Sequence, residues 1–291
     1  MIKNILITGG SGFIGSHLKL ALNNSKSLNP IDFSRSNNVD LLENNIQVNV
    51  EVDSIVHLAG ISYVPDSFNN PHKMYRENFI STLNILEFCR KQGIEKFIFM
   101  SSYVYGKPKY LPIDEKHPTN IMNPYGRSKL ICENLCKSYC EDYGIKLIVL
   151  RLFNIFGLNQ DKRFLVPSVI DQVLGTNDQI KLDDLDPKRD YLYIKDLISV
   201  LETMIYQENK EIFSLYNIGS GVSYSVREIA ENILRIFGVN KKIIDSGVRR
   251  KNEIVDCIAN IKNIETDYNW KPRYSLEEGL LDLKAELDKN V

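Results

Sequence analysis

Tyr125-Gly-Arg-Ser-Lys129 sets a phenol and an ammonium four residues apart. On a helix those positions share a face, so the two side chains lie side by side. A neighbouring cation stabilises a phenolate and lowers a tyrosine pKa from its ordinary value of about 10. The phenol then becomes a proton donor or acceptor usable near neutral pH. Pairs at this spacing are common on helix surfaces, and this one gains meaning from what precedes it. An apolar run, Lys96–Ser101 (KFIFMS), ends in the hydroxyls of Ser101 and Ser102. A hydroxyl at the carboxyl end of a buried strand can meet the phenol where open α/β sheets bind ligands. Ser101 would hold the substrate oxygen whose proton Tyr125 exchanges. Ser101, Tyr125 and Lys129 together suit interconversion of a carbinol and a carbonyl, given a hydride carrier.

A site for that carrier stands at the start of the chain. Ile5 to Gly15 reads ILITGGSGFIG, with Gly9, Gly12 and Gly15 in a G-x-x-G-x-x-G pattern after a strand and before a helix. Gly9 and Gly12 allow a sharp turn and close approach to a pyrophosphate. Gly15 allows the helix to pack on the strand, and the helix N-terminus offers N–H groups to the anion. A tight turn without ligand is the simpler alternative, but three glycines cost conformational entropy that such a turn does not require. Asp32 falls roughly 20 residues on, where a dinucleotide site wants an acid for the adenosine ribose. Arg35 follows and could hold a 2′-phosphate. Asp32 argues for NAD and Arg35 permits NADP, so the reading is NAD or NADP.

These residues need a scaffold. Strand-like runs occur at Ile5–Thr8, Pro30–Phe33, Ser54–Ala59, Lys96–Ser101 and Lys146–Leu152. Between them Ile14–Asn23, Tyr75–Lys91 and Asn123–Tyr143 read as helices, the last two closed by Gly93 and Gly144. Alternation of this kind predicts an α/β fold, a Rossmann-type doubly wound parallel sheet covered on both faces. After about residue 155 the alternation weakens. Phe164–Leu174 and Ser225–Phe237 read as helices, Asp186–Tyr193 is polar and then strand-like, and Tyr216–Ile218 is a short strand. The expectation is a cofactor-binding domain over 1–155, to which later segments return, and a smaller mixed substrate-binding portion over 156–291.

Composition narrows the partners. The chain has 291 residues, 43% of them hydrophobic, enough for a sizeable core. Lys and Arg number 36 against 37 Asp and Glu, which argues against nucleic acid as a partner. No apolar run reaches the roughly 18–20 residues of a membrane span, and MIKNILITGG lacks signal-peptide anatomy. Arg249, Arg250 and Lys251 form a short basic cluster, read as an anion site or a solvated loop. Cys132, Cys136 and Cys140 fall on one helical stripe, read as buried apolar packing rather than a metal site. Free thiols suit a cytoplasmic location.

TGGSGFIG at 8–15, HLAG at 57–60, SSYVYG at 101–106, NPYGRSK at 123–129 and RLFN at 151–154 stand in the order and spacing of the extended short-chain dehydrogenase/reductases. KRDY at 188–191, RKNEI at 250–254 and WKP at 270–272 continue that resemblance through the C-terminal part. It implies an enzyme of the NAD-dependent epimerase/dehydratase type acting on a nucleotide-sugar. Ser101 would be the catalytic hydroxyl, Tyr125 the acid/base, and Lys129 would also grip the nicotinamide ribose. Phe13, Ile14, Asp40 and Leu41 would join the glycines, Asp32 and Arg35 around the cofactor. Leu58, Ala59 and Gly60 would line it, with Asn78 near the active site. Tyr103, Asn154, Arg189 and Arg250 would hold substrate, arginine suiting a diphosphate by its planar fork. Arg189 could instead form an ordinary ion pair, with Asp190 the obvious partner. Members often form homodimers through two long helices, here Tyr75–Lys91 and Asn123–Tyr143.

The family contains dehydratases, epimerases and reductases. Dehydratases carry an acidic pair after the catalytic hydroxyl residue, whereas Ser102 and Tyr103 stand there in this chain. The SSY segment, RKNEI, KRDY, the compressed stretch between Asp32 and Asp53 and the short chain resemble nucleotide-linked 4-keto-6-deoxysugar reductases. C4-ketone reduction is therefore the expected reaction. NAD-dependent 4-epimerisation is the alternative, followed by 4,6-dehydration or non-catalytic nucleotide binding.

Overall fold

Continuous apolar runs become strands buried on both faces. The computed structural model describes residues 2–37, 39–43, 46–208, 211–249 and 253–289. In it β1 (Lys3–Thr8) has its last four residues buried. Along the chain follow α1 (Phe13–Asn23), β2 (Leu28–Phe33), β3 (Ser54–His57), α2 (Val64–Asn69), α3 (Pro71–Gln92), β4 (Lys96–Ser102), α4 (Pro124–Tyr143) and β5 (Lys146–Leu152). Beyond them lie β6 (Asn154–Phe156), α5 (Leu165–Leu174), β7 (Gln179–Leu182), β8 (Lys188–Tyr193), α6 (Ile194–Tyr206) and β9 (Phe213–Ile218). The chain closes with β10 (Ser223–Ser225), α7 (Val226–Phe237), β11 (Lys242–Asp245), α8 (Lys262–Tyr268) and α9 (Leu276–Lys289).

Six strands form one sheet in the order β2-β1-β3-β4-β5-β9. The β1–β2, β1–β3, β3–β4 and β4–β5 pairs are all parallel, the doubly wound Rossmann-type arrangement expected. Strand order reverses between β1 and β3, and the glycine turn leaves β1 at that switch point. Residues 1–106, 118–152 and 198–216 make one compact unit. Residues 107–117, 153–197 and 217–291 make the other, which holds a three-stranded sheet β10-β8-β6 and a two-stranded sheet β11-β7.

Both long helices have local start and stop signals. Asn70 accepts from the Lys73 N–H at 3.0 Å and opens α3, and Gly93 ends it at φ 67°. Asn123 accepts from the Gly126 N–H at 2.7 Å and opens α4, Pro124 takes the first helical position, and Gly144 ends it at φ 70°. The cysteine stripe of α4 faces the sheet: Cys132, Cys136 and Cys140 pack with Leu6, Phe97 and Phe99. Burial pushes all three thiols up in pKa, Cys136 most clearly. Among the described residues no group of His, Cys, Asp or Glu could hold a metal ion, and no helix is long and apolar enough to cross a membrane.

Candidate active site

The glycine turn is built for close approach. Gly9 adopts φ +71°, and a Cβ there would stand 2.9 Å from the Ala59 nitrogen. A Cβ on Gly15 would overlap the Gly9 carbonyl oxygen. Gly12 caps α1 without a side-chain hydrogen bond, so the amides of Phe13, Ile14 and Gly15 have no intrahelical partner. Asp32 reaches back over the turn, where a Cβ on Gly10 would overlap its Oδ1. That Oδ1 is buried and has no hydrogen-bond partner among the described residues. A cradle that any Cβ would fill, beside an orphaned carboxylate oxygen, fits a dinucleotide: the amides for its pyrophosphate, Asp32 for its ribose.

The outer candidates are less open. Arg35 is tied to Glu77 at 2.7 Å and lies 3.8 Å from Asp40, and the Glu77 hydrogen bond holds its pKa up. Asp40 also accepts from the Leu42 N–H at 3.0 Å. The Leu41 side chain belongs to the core, and its carbonyl accepts from Asn84 Nδ2 at 2.8 Å.

The segment from Leu58 to Gly60 is fixed by a buried relay. Thr82 Oγ1 donates to the Asn78 carbonyl at 2.7 Å, so His57 Nε2 must donate to Thr82 at 3.0 Å. His57 Nδ1 then accepts from Thr8 Oγ1 at 2.7 Å, and Thr8 Oγ1 accepts from the N–H groups of Leu58 (3.1 Å) and Ala59 (3.2 Å). Burial, and secondarily the positive charge of Lys129, pushes the imidazole down to about 3, keeping it neutral. Asn78 is a strut rather than an open group. It accepts from the Ile61 N–H at 2.8 Å and donates to Ser128 Oγ at 2.8 Å, and Ser128 donates to the Tyr125 carbonyl at 2.7 Å. A Cβ on Gly60 would stand 2.8 Å from Asn78 Oδ1 and 3.6 Å from Lys129 Nζ.

At the carboxyl end of β4 the phenol meets a hydroxyl, but not the expected one. Ser102 is the hydroxyl that acts on the Tyr125 phenol, opposing the rise that burial gives its pKa. Ser101 instead donates to Glu133, which forms a buried ion pair with Arg151 at 2.7 Å. The reading of Ser101 as the phenol's partner is corrected by the strand pleat. Successive side chains alternate in face, and Ser101 shares the face of Phe97 and Phe99, under Glu133 of α4. Ser102, the last residue of the strand, is only partly buried. Strand alternation was the signal available in the sequence for telling the two serines apart.

Electrostatics differ from expectation as well. Burial pushes the Tyr125 pKa up, and the Ser102 hydrogen bond opposes it. The anticipated lowering by Lys129 does not prevail, because that ammonium donates to the Met100 carbonyl at 2.8 Å and lies 5.0 Å over the Phe99 ring. Burial pushes the Lys129 pKa down, and Cys132, Cys136 and Glu133 oppose that fall. Tyr103 donates its hydroxyl to the Gly106 carbonyl at 2.5 Å.

In the second unit Asn154 is exposed and donates from Nδ2 to the Asp190 carbonyl at 3.3 Å. Arg189 does form an ion pair, with Glu253 rather than Asp190, and donates to the carbonyls of Lys188 (2.7 Å) and Ile254 (2.6 Å). Asp190 accepts from the N–H groups of Ser220, Gly221 and Ala259, a structural hub. Arg250 and Lys251 lie outside the described residues. Their neighbour Arg249 pairs with Asp245 at 2.7 Å and Asp184 at 3.3 Å.

A model of the NAD dependent epimerase/dehydratase family matches residues 5–219. A UDP-glucose 4-epimerase of Rhizobium meliloti is 30% identical over 312 residues, covering 94% of each chain. A GDP-6-deoxy-D-mannose reductase of Pseudomonas aeruginosa is 29% identical over 307 residues, covering 100% of this chain and 99% of the relative. Among solved structures, RMD from Pseudomonas aeruginosa complexed with NADPH superposes with a TM-score of 0.91 at 28% identity, over 99% of this chain and 100% of that one.

Proposed function

The chain belongs to the NAD dependent epimerase/dehydratase family of extended short-chain dehydrogenase/reductases and is an NAD(P)-dependent enzyme; from that premise we propose that it reduces the C4 ketone of a nucleotide-linked 4-keto-6-deoxy sugar. The observation that carries this reading is that Ser102 acts on the Tyr125 phenol and that no acidic residue stands at 102–104. Tyr103 and Val104 follow Ser102, and the carboxylate that α4 brings to this strand end, Glu133, is held by Arg151. An acid for 4,6-dehydration is therefore missing among these residues. Reduction needs none.

When bound, a nicotinamide cofactor supplies the hydride. Tyr125 donates its proton to the sugar oxygen as negative charge develops there, and Ser102 steadies that oxygen. Lys129, fixed by the Met100 carbonyl, stands one helical turn from the phenol on the same face of α4. Leu58, Ala59 and Gly60 line the cofactor, held in place by His57 and Thr8. Asn154 and Arg250 hold the nucleotide diphosphate, and Arg189 joins them by exchanging Glu253 for a phosphate oxygen. Four-helix pairing of α3 and α4 joins two chains, Phe79, Ile80, Leu83 and Ile131 keeping apolar surface open for it. Five cysteines, all free and buried, suit a reducing cytoplasm.

The deciding experiment incubates the protein with a panel of nucleotide-linked 4-keto-6-deoxy sugars and NADPH or NADH. Loss of nicotinamide absorbance with formation of a deoxysugar is the expected result. Interconversion of C4 epimers of UDP-sugars without net cofactor consumption would replace this reading with the epimerase one, which the Rhizobium meliloti relative favours.

A further inference from the structure

At the adenosine end of the glycine turn, Lys19 of α1 donates to Asp32 Oδ2. The Asp32 side chain is 9% exposed and that of Lys19 33%. Asp32 thus has one oxygen charge-compensated and the other, Oδ1, unpartnered and turned to Gly10. A lone carboxylate here accepts ribose hydroxyls and repels a 2′-phosphate. An ammonium on its second oxygen alters that balance in two ways. It offsets the carboxylate charge, and it is a compact cation on a flexible stem whose donors can turn to phosphate oxygens. Arg35, the other cation near this strand end, is already tied to Glu77 at 2.7 Å.

Building on the dinucleotide reading, we propose that Lys19 sets the cofactor preference: it lets the Asp32 site accept the 2′-phosphate, so that the protein binds NADPH as well as NADH. Lys19 has no part in the proton-transfer set, so its effect falls on binding.

The test is equilibrium titration, by fluorescence quenching, of NADPH, NADH, 2′,5′-ADP and 5′-AMP. It compares the wild type with Lys19→Met, Lys19→Arg and Asp32→Asn, each checked for folding by thermal melting. Lys19→Met should weaken NADPH and 2′,5′-ADP about tenfold, while NADH and 5′-AMP stay within about threefold or tighten. Lys19→Arg should keep the wild-type ratio, and Asp32→Asn should move it toward NADPH. An unchanged NADPH-to-NADH ratio in Lys19→Met overturns the proposal, as does a wild type that binds NADH alone. Should the Met variant not fold, Lys19→Gln is titrated in its place, and an unchanged NADPH-to-NADH ratio there overturns the proposal. A wild type that binds none of the four nucleotides removes the dinucleotide reading itself, and this inference with it.

Discussion

Ser102 opposes the burial-driven rise of the Tyr125 pKa, and it stands one residue beyond the serine that ties into the Glu133–Arg151 ion pair. Adjacent residues of a strand point to opposite faces, so the two hydroxyls are separated in role as well as in space. Ser102→Ala should lower kcat about 100-fold with little change in cofactor affinity, because it removes a donor aimed at developing charge. Ser101→Ala should keep kcat within about threefold of wild type and cost roughly 1 kcal/mol of stability. Steady-state kinetics and denaturant unfolding of both variants check this. A collapse of kcat in Ser101→Ala with none in Ser102→Ala would return the catalytic role to Ser101.

Tyr125→Phe keeps the ring and removes the exchangeable proton. Turnover should fall by about 1,000-fold, with NADPH affinity nearly unchanged, as measured by kcat and by direct titration. The pH profile carries a second, signed expectation. Burial raises the Tyr125 pKa and Ser102 lowers it. Removing Ser102 therefore raises it further. In the direction of alcohol oxidation, which needs the phenolate, the rise of kcat/KM with pH should shift to higher pH in Ser102→Ala. A shift to lower pH would show that Ser102 does not stabilise the phenolate.

Much of this site was legible in the sequence because its signals are local. G-x-x-G-x-x-G encodes a turn, and Tyr125 and Lys129 share a helical face by spacing alone. The asparagines and glycines bounding α3 and α4 are local signals of the same kind. What stayed hidden depended on tertiary placement. SS at 101–102 offers two hydroxyls, and only the pleat decides which meets the phenol. Arg189 stands beside Asp190 in sequence, yet pairs with Glu253, more than 60 residues away, because Asp190 turns to backbone N–H groups. Helix α9 carries a weak apolar pattern, because its charged residues outnumber the apolar ones that reach the core. The Lys19–Asp32 pair joins α1 to the end of β2, a contact that no local spacing encodes.

Gly15 illustrates a position fixed by backbone contact rather than by φ. A Cβ there would overlap the Gly9 carbonyl oxygen, which cannot move without opening the turn. Gly15→Ala should cost about 1–3 kcal/mol of stability and weaken NADH and NADPH alike. That common loss distinguishes it from Lys19→Met. Thermal unfolding with and without cofactor measures both effects, and an undiminished cofactor-induced rise in Tm would show that the turn does not bind the pyrophosphate.

His57 ties the Leu58–Gly60 segment to α3, and its neutrality makes that tie pH-dependent. Its pKa is about 3 in the folded protein against an ordinary 6.5, chiefly through burial. Above pH 6.5 both folded and unfolded chains hold it neutral. Between about pH 6.5 and 3 the unfolded chain takes up a proton that the folded one refuses, so stability falls as pH falls. The loss should reach about 2 kcal/mol at pH 5 from this group alone. His57→Gln should be less stable at pH 7, having lost part of the Thr8–Thr82 bridge, but should lose about 2 kcal/mol less than wild type on going from pH 7 to 5. Denaturant unfolding at the two pH values measures the difference. Equal losses in the two proteins would mean that His57 is not held neutral by the fold, and the relay drawn through its two nitrogens would have to be redrawn.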